Sequence, residues 1–136
     1  MITWLLYKTV RFGTSAIRCR GKTLRVFVAD TPAKQMLGLM HREKLRSNEG
    51  MLFVFGRDSK WGIWMANMKF SIDIVWLGKD GKVVSVIENA EPCKSIFNCK
   101  TRYPSRSARY VLELPSGSAS RMGIKEGESV SLPSML

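Results

Sequence analysis

The stretch Trp61–Cys93, WGIWMANMKFSIDIVWLGKDGKVVSVIENAEPC, decides the fold. It holds three of the four tryptophans. Ile72 to Leu77 is a short, almost wholly apolar run that ends in turn residues, as a buried strand does. Lys82 to Ala90 reads as a second strand, and Trp61 to Asn67 as the start of another before them. The joining tetrad Gly78-Lys79-Asp80-Gly81 suits a type I turn with Gly81 as a left-handed bulge. That turn sets Leu77 opposite Val83 and Asp73 opposite Ile87. A tighter Asp-Gly turn would set Asp73 opposite Glu88, and facing carboxylates destabilise a strand pair. A one-residue slip exchanges the two faces of a strand, so the turn decides which side chains are buried.

Further out, Leu24 to Ala29 alternates as a strand, preceded by a looser one over Thr14 to Arg20 and a turn at Gly21-Lys22. Ile2 to Val10 is poorly marked and is read with these first strands. Thr31 is placed to cap a short helix, with Pro32 at its first position, where a missing N–H costs nothing. Met36, Leu37 and Met40 form its apolar stripe, which is core packing by default. Met51 to Phe55 reads as a buried strand and Gly56 to Ser59 as a turn. Residues 91–107 form a long loop, a type of segment that is usually functional or mobile. Tyr110, Leu112 and Leu114 alternate with Val111 and Glu113 in a further strand. A helical turn follows, ending at Gly123, and Ser129 to Leu132 closes the fold as a strand. Many strands on short turns predict a mostly β, antiparallel sandwich or barrel with one or two short helices. The length of 136 residues fits a single domain over residues 1–136.

Net charge is +11, and residues 1–60 alone carry 12 basic against 4 acidic side chains. A second cluster, Lys94, Lys100, Arg102, Arg106 and Arg109, contains no acid. Such a field attracts nucleic acid, anionic lipid or acidic partners, although solubility alone is the plainer reading. The apolar run Ile2 to Tyr7 is too short for a membrane span or a secretory core, so the expectation is a cytoplasmic protein.

The blocks GLMHREKL, EGMLFVF, WMANMKFSIDIVWL, DGKVV, ENAEPC, YPS, ARYVLELPSG and GIKEGESV follow one another in order. Over about residues 23–132 the chain resembles the domain of unknown function 192 family of small prokaryotic proteins. The resemblance implies a compact, jelly-roll-like β structure without an established activity, substrate or cofactor. Many family members carry an export signal, and none is expected here. Two departures stand out: Ala66, where the family usually has Lys, and Lys69-Phe70-Ser71, which replaces a small polar residue and Pro.

Asn67 and Asp73 are the sharpest site candidates, because a polar group among Trp, Met and Ile must find a partner. Either they satisfy local backbone groups, or they floor an apolar pocket lined by Trp61, Trp64, Met65 and Trp76. Arg42 and Tyr110 complete the ligand-binding candidates, and Arg42 or Arg109 could pair with Asp73, Glu88 or Glu113. Cys93 and Cys99 admit a disulfide, a metal pair or two idle thiols. With one histidine, His41, and wide spacing, no metal or cofactor is implied. Cys19 reads as a buried small apolar residue. The leading expectation is a non-enzymatic domain that binds a small ligand near Trp61–Leu77 and the 91–107 loop. Nucleic-acid or anion binding through the basic clusters comes second, and an enzyme using Asp73 or Cys93 last.

Overall fold

The computed structural model describes residues 2–134 and 136. Six strands form one mixed sheet: β1 (Gly13–Cys19), β2 (Lys22–Ala29), β3 (Glu49–Ser59), β4 (Ile72–Leu77), β5 (Val83–Ala90) and β6 (Ala108–Pro115). The spatial order is β1-β2-β3-β6-β4-β5. Neighbours are antiparallel except β2 and β3, which run parallel. Parallel strands need a crossover. Residues 30–48 supply it, with helix α2 (Pro32–Leu37) inside. The chain is thus mostly β and sandwich-like. It does not close into a barrel: the C-terminal stretch expected as a closing strand makes only isolated bridges, Ser131 to Arg18 and Ser129 to Lys82.

Three more expectations are corrected. Ile2–Thr9 is a helix, α1, not a strand. It buries no residue completely, so one partly apolar side is enough to hold it and no period-2 pattern is required. Trp61 to Asn67 is irregular, with a single bridge from Ile63 to Arg102. The expected turn at Gly56 to Ser59 continues β3, with a register shift after Val54.

The turn after β4 forms as its residues dictate. The Gly81 N–H donates to Gly78 O at 2.9 Å, and Gly81 takes φ +85°. Leu77 faces Val83. An extra residue on β5 then shifts the register, so Ile74, not Asp73, lies opposite Ile87. A second irregularity leaves Asp73 beside Glu88 and Asn89, between the pairs Ile72–Ala90 and Ile74–Ile87.

Strand parity sorts the core into two layers. One face carries Leu52, Val75, Leu77, Leu112 and Leu114, covered by Ala119 and Met122 of helix α3 (Ser118–Met122). The other carries Met51, Phe53, Ile74, Trp76 and Val111, covered by Leu39, Ile63 and Met65. With both faces covered, every residue of β4 is buried, which explains its nearly unbroken apolar sequence. Trp76 is fully buried, and its indole N–H donates to Trp61 O at 2.7 Å. Burial of roughly 200 Å² of indole contributes about 5 kcal/mol.

Candidate functional site

The second face opens into a cavity of about 410 Å³. Its walls are largely apolar: Leu37, Phe53, Ile63, Ile72 and four methionines, Met36, Met40, Met65 and Met68. Methionine is unbranched and polarisable, so such a wall adapts its shape to what it holds. α2 forms one side. Its start is fixed by the Thr31 Oγ1 acceptor and by Pro32, as the sequence indicated. It stops at Gly38, where a side chain would press on the Phe53 ring. α1 leans on α2, and Thr3 reaches the cavity rim. There Thr3 Oγ1 and His41 Nε2 are hydrogen-bonded at 3.0 Å, with Trp4 and Tyr7 against the imidazole. Burial, with Lys69 nearby, lowers the His41 pKa.

Glu113 lies within this apolar wall. It sits mid-strand on β6, between Met51 of β3 and Ile74 of β4, and is only 3% exposed. No described residue forms an ion pair with it. Desolvation alone pushes its carboxyl from 4.5 up to about 8. At neutral pH Glu113 is therefore a neutral hydrogen-bond donor facing an apolar space. The sequence reading treated it only as a partner for an arginine. The available signal was one carboxylate inside the otherwise apolar run YVLELP.

The residues singled out from sequence do not gather at one place. Trp64 does line the cavity, 45% exposed, with its indole N–H donating to Cys99 O. Trp61 stacks on Phe55 at 4.1 Å between centroids, outside the cavity lining. Asn67 is an exposed turn residue at φ +59° and not a buried polar group. Tyr110 belongs to the core of the opposite face. Arg42 pairs with none of the expected carboxylates and lies over the rings of Phe27 and Phe12, at 4.3 and 5.5 Å. Its burial lowers its pKa. Asp73 is fully buried, and its two oxygens accept the backbone N–H groups of Asn89 and Ala119, both at 2.9 Å. Its role is to lock the β5 irregularity and the start of α3.

The basic cluster divides. Arg109 pairs with Asp58 and Arg106 with Glu126. Lys94, Lys100 and Arg102 join no ion pair among the described residues. Cys93 and Cys99 form a disulfide, so Cys93 carries no free thiol. Cys19 is buried, and desolvation together with Glu128 raises its pKa. No group of metal-binding side chains occurs among the described residues. Among them, no helix is long and apolar enough to cross a membrane. Ala66, at the position where Lys is usual, is buried against Leu37 and Met40.

The model of the family described as "Uncharacterized ACR" (DUF192) matches residues 15–132. Among curated proteins, a "UPF0127 protein" from Thermococcus gammatolerans is 31% identical over 108 residues, covering 78% of this chain. Another from Thermococcus kodakarensis is 28% identical over 109 residues, or 79% of this chain. The chain spans only 65% and 64% of these relatives' own lengths. Two solved structures share the fold. One, from Sinorhizobium meliloti 1021, is described as a "putative transcription regulator". It has a TM-score of 0.81 and 30% identity, covering 90% of this chain and 95% of that one. The other is a protein of unknown function from Novosphingobium aromaticivorans, with a TM-score of 0.79 and 30% identity, covering 88% and 85%.

Proposed function

The chain belongs to the domain of unknown function 192 family, and from that premise we propose that it is a non-enzymatic binding domain for a small, mainly apolar ligand. The binding place is the cavity between α2 and the second face of the sheet. One observation carries this reading: Glu113, which has no ion-pair partner among the described residues, lies in a methionine-rich apolar wall. Holding a carboxyl in apolar surroundings costs free energy, because burial disfavours its charged form. That cost is offset if a ligand supplies the partner. The mostly apolar lining with few polar groups is the usual composition of a small-molecule site. Trp64 belongs to the site, whereas Trp61, Asn67, Asp73, Arg42 and Tyr110 support the surrounding fold.

Nucleic-acid binding is the lesser reading. The net charge of +11 and the description of the Sinorhizobium neighbour favour it. Two of the five arginines and lysines in the 94–109 cluster are already paired with carboxylates, which weakens it. Titration with the neutral apolar fluorophore N-phenyl-1-naphthylamine tests the main reading. Saturable binding at one site is expected. Met68→Trp, which fills the cavity, removes it; Tyr110→Phe, on the other side of the sheet, leaves it unchanged. Non-saturating binding, or loss with Tyr110→Phe and not with Met68→Trp, overturns the reading.

A further inference from the structure

The segment closed by the Cys93–Cys99 disulfide carries a surface that the cavity does not explain. Its centre is a single 3-10 turn, Ile96–Asn98, capped by Ser95, whose Oγ accepts the Phe97 N–H. The disulfide holds the two ends 5.4 Å apart between Cα atoms. Phe97 stands at the tip with 94% of its surface exposed, and Ile96 beside it is 54% exposed. A phenylalanine held out this far buries nothing in the monomer, so its apolar area is available to a partner.

The surroundings are cationic. Lys94, Lys100 and Arg102 flank the turn and join no ion pair among the described residues, and residues 94–109 contain no acid. Tyr103, 62% exposed, and Trp64 lie at the base, Trp64 joined to the loop through Cys99 O. Both are amphipathic rings of the kind that settle at a membrane–water boundary. α1 borders the same region: Leu6 and Tyr7 pack in a cluster with Cys99, and Ile2 and Leu5 remain exposed.

We propose that the disulfide-closed turn at Phe97, with its collar of Lys94, Lys100 and Arg102, docks peripherally onto an anionic lipid bilayer. Phe97 and Ile96 enter the boundary between headgroups and acyl chains, while the cations meet lipid phosphates above it. The closed turn is already ordered, so docking loses little conformational freedom. An apolar protrusion favours a bilayer over nucleic acid. Single-stranded nucleic acid is held in grooves by successive stacked aromatics, whereas here an aliphatic Ile96 and one ring project from a tip. This surface stands independently of the cavity reading.

The test is co-sedimentation of the oxidised 136-residue chain with vesicles of phosphatidylcholine, with and without about one third phosphatidylglycerol. Binding is expected only to the anionic vesicles and weakens as salt rises. Lys100→Ala weakens it about fivefold. Phe97→Ser weakens it about tenfold or more, with an unchanged circular dichroism spectrum because the side chain is exposed. Absence of binding to anionic vesicles, equal binding to neutral ones, or undiminished binding by Phe97→Ser overturns the proposal. So does salt-sensitive retention on a single-stranded oligonucleotide with none on vesicles, which identifies a nucleic-acid surface instead.

Discussion

Asp73 and Glu113 lie on adjacent central strands, yet their carboxyl groups face opposite sides of the sheet. Asp73 is registered with Leu114 and belongs to the face under α3; Glu113 is registered with Ile74 and belongs to the face under α2. Both are buried. The first has two backbone donors, and the second faces the cavity with no ion-pair partner among the described residues. One parity difference thus separates a structural acid from a site acid.

Removing the structural acid should be costly. Asp73→Ala leaves the N–H groups of Asn89 and Ala119 without their acceptor. A buried donor left unsatisfied costs roughly 1–3 kcal/mol, so the two together predict a loss of about 2–6 kcal/mol in urea unfolding. Asp73→Asn keeps an acceptor oxygen and should lose less. A loss below about 1 kcal/mol for Asp73→Ala would show that the two bonds do not hold α3 and β5 in place.

Glu113 makes stability depend on pH in a fixed direction. Its folded pKa is raised to about 8 from 4.5. Below 4.5 this carboxyl is protonated in both folded and unfolded chains, and its contribution to stability is fully present. Between 4.5 and about 8 only the unfolded chain releases the proton, so stability falls, and above 8 it levels off. At about 1.4 kcal/mol per pH unit the fall is about 4–5 kcal/mol at most. Glu113→Gln cannot ionise and should remove this slope, becoming more stable than the native chain above pH 8. Parallel curves for the two proteins from pH 5 to 9 would contradict the assignment.

Gly81 supplies the bulged turn that sets the first pair of the β4–β5 ladder. Its φ is +85°, and a side chain there would run into the Val130 carbonyl. Its own carbonyl accepts the Val130 N–H. Gly127 has φ +92° but open space around it. Left-handed strain alone costs a non-glycine residue about 1–2 kcal/mol. Gly81→Ala should therefore destabilise by about 1 kcal/mol more than Gly127→Ala in thermal unfolding. Equal costs would mean that the contact with Val130 contributes nothing.

Much of the fold was legible in short-range signals. The Gly78–Gly81 turn, the Thr31-Pro32 helix start, the Gly123 helix end and the β2, β4, β5 and β6 strands depend on local geometry. Three features depend on tertiary context. The β2–β3 pairing is parallel because of where α2 returns the chain. Trp61 to Asn67 is rich in strand-forming residues but is used as an irregular cover over the second face. Ile2–Thr9 is helical because Leu6 and Tyr7 rest on Leu37 and Met40. The site was half legible. The tryptophans marked the right neighbourhood, and Trp64 and Met65 do line the cavity. Asn67 and Asp73 drew notice as polar residues among apolar ones. The same criterion applied to ARYVLELP points to Glu113, whose importance depends on strand parity and on having no ion-pair partner among the described residues, and neither is written in its neighbours.

The most direct measurement is the carboxyl ¹³C chemical shift of Glu113 followed by NMR from pH 4 to pH 10, with Glu113→Gln identifying the resonance. A midpoint near 8 is the expected result, and it establishes a neutral carboxyl facing a largely apolar cavity at physiological pH. A midpoint near 4.5 would mean a hydrated, ionised carboxylate, and the cavity would lose the feature on which its role as a binding site rests.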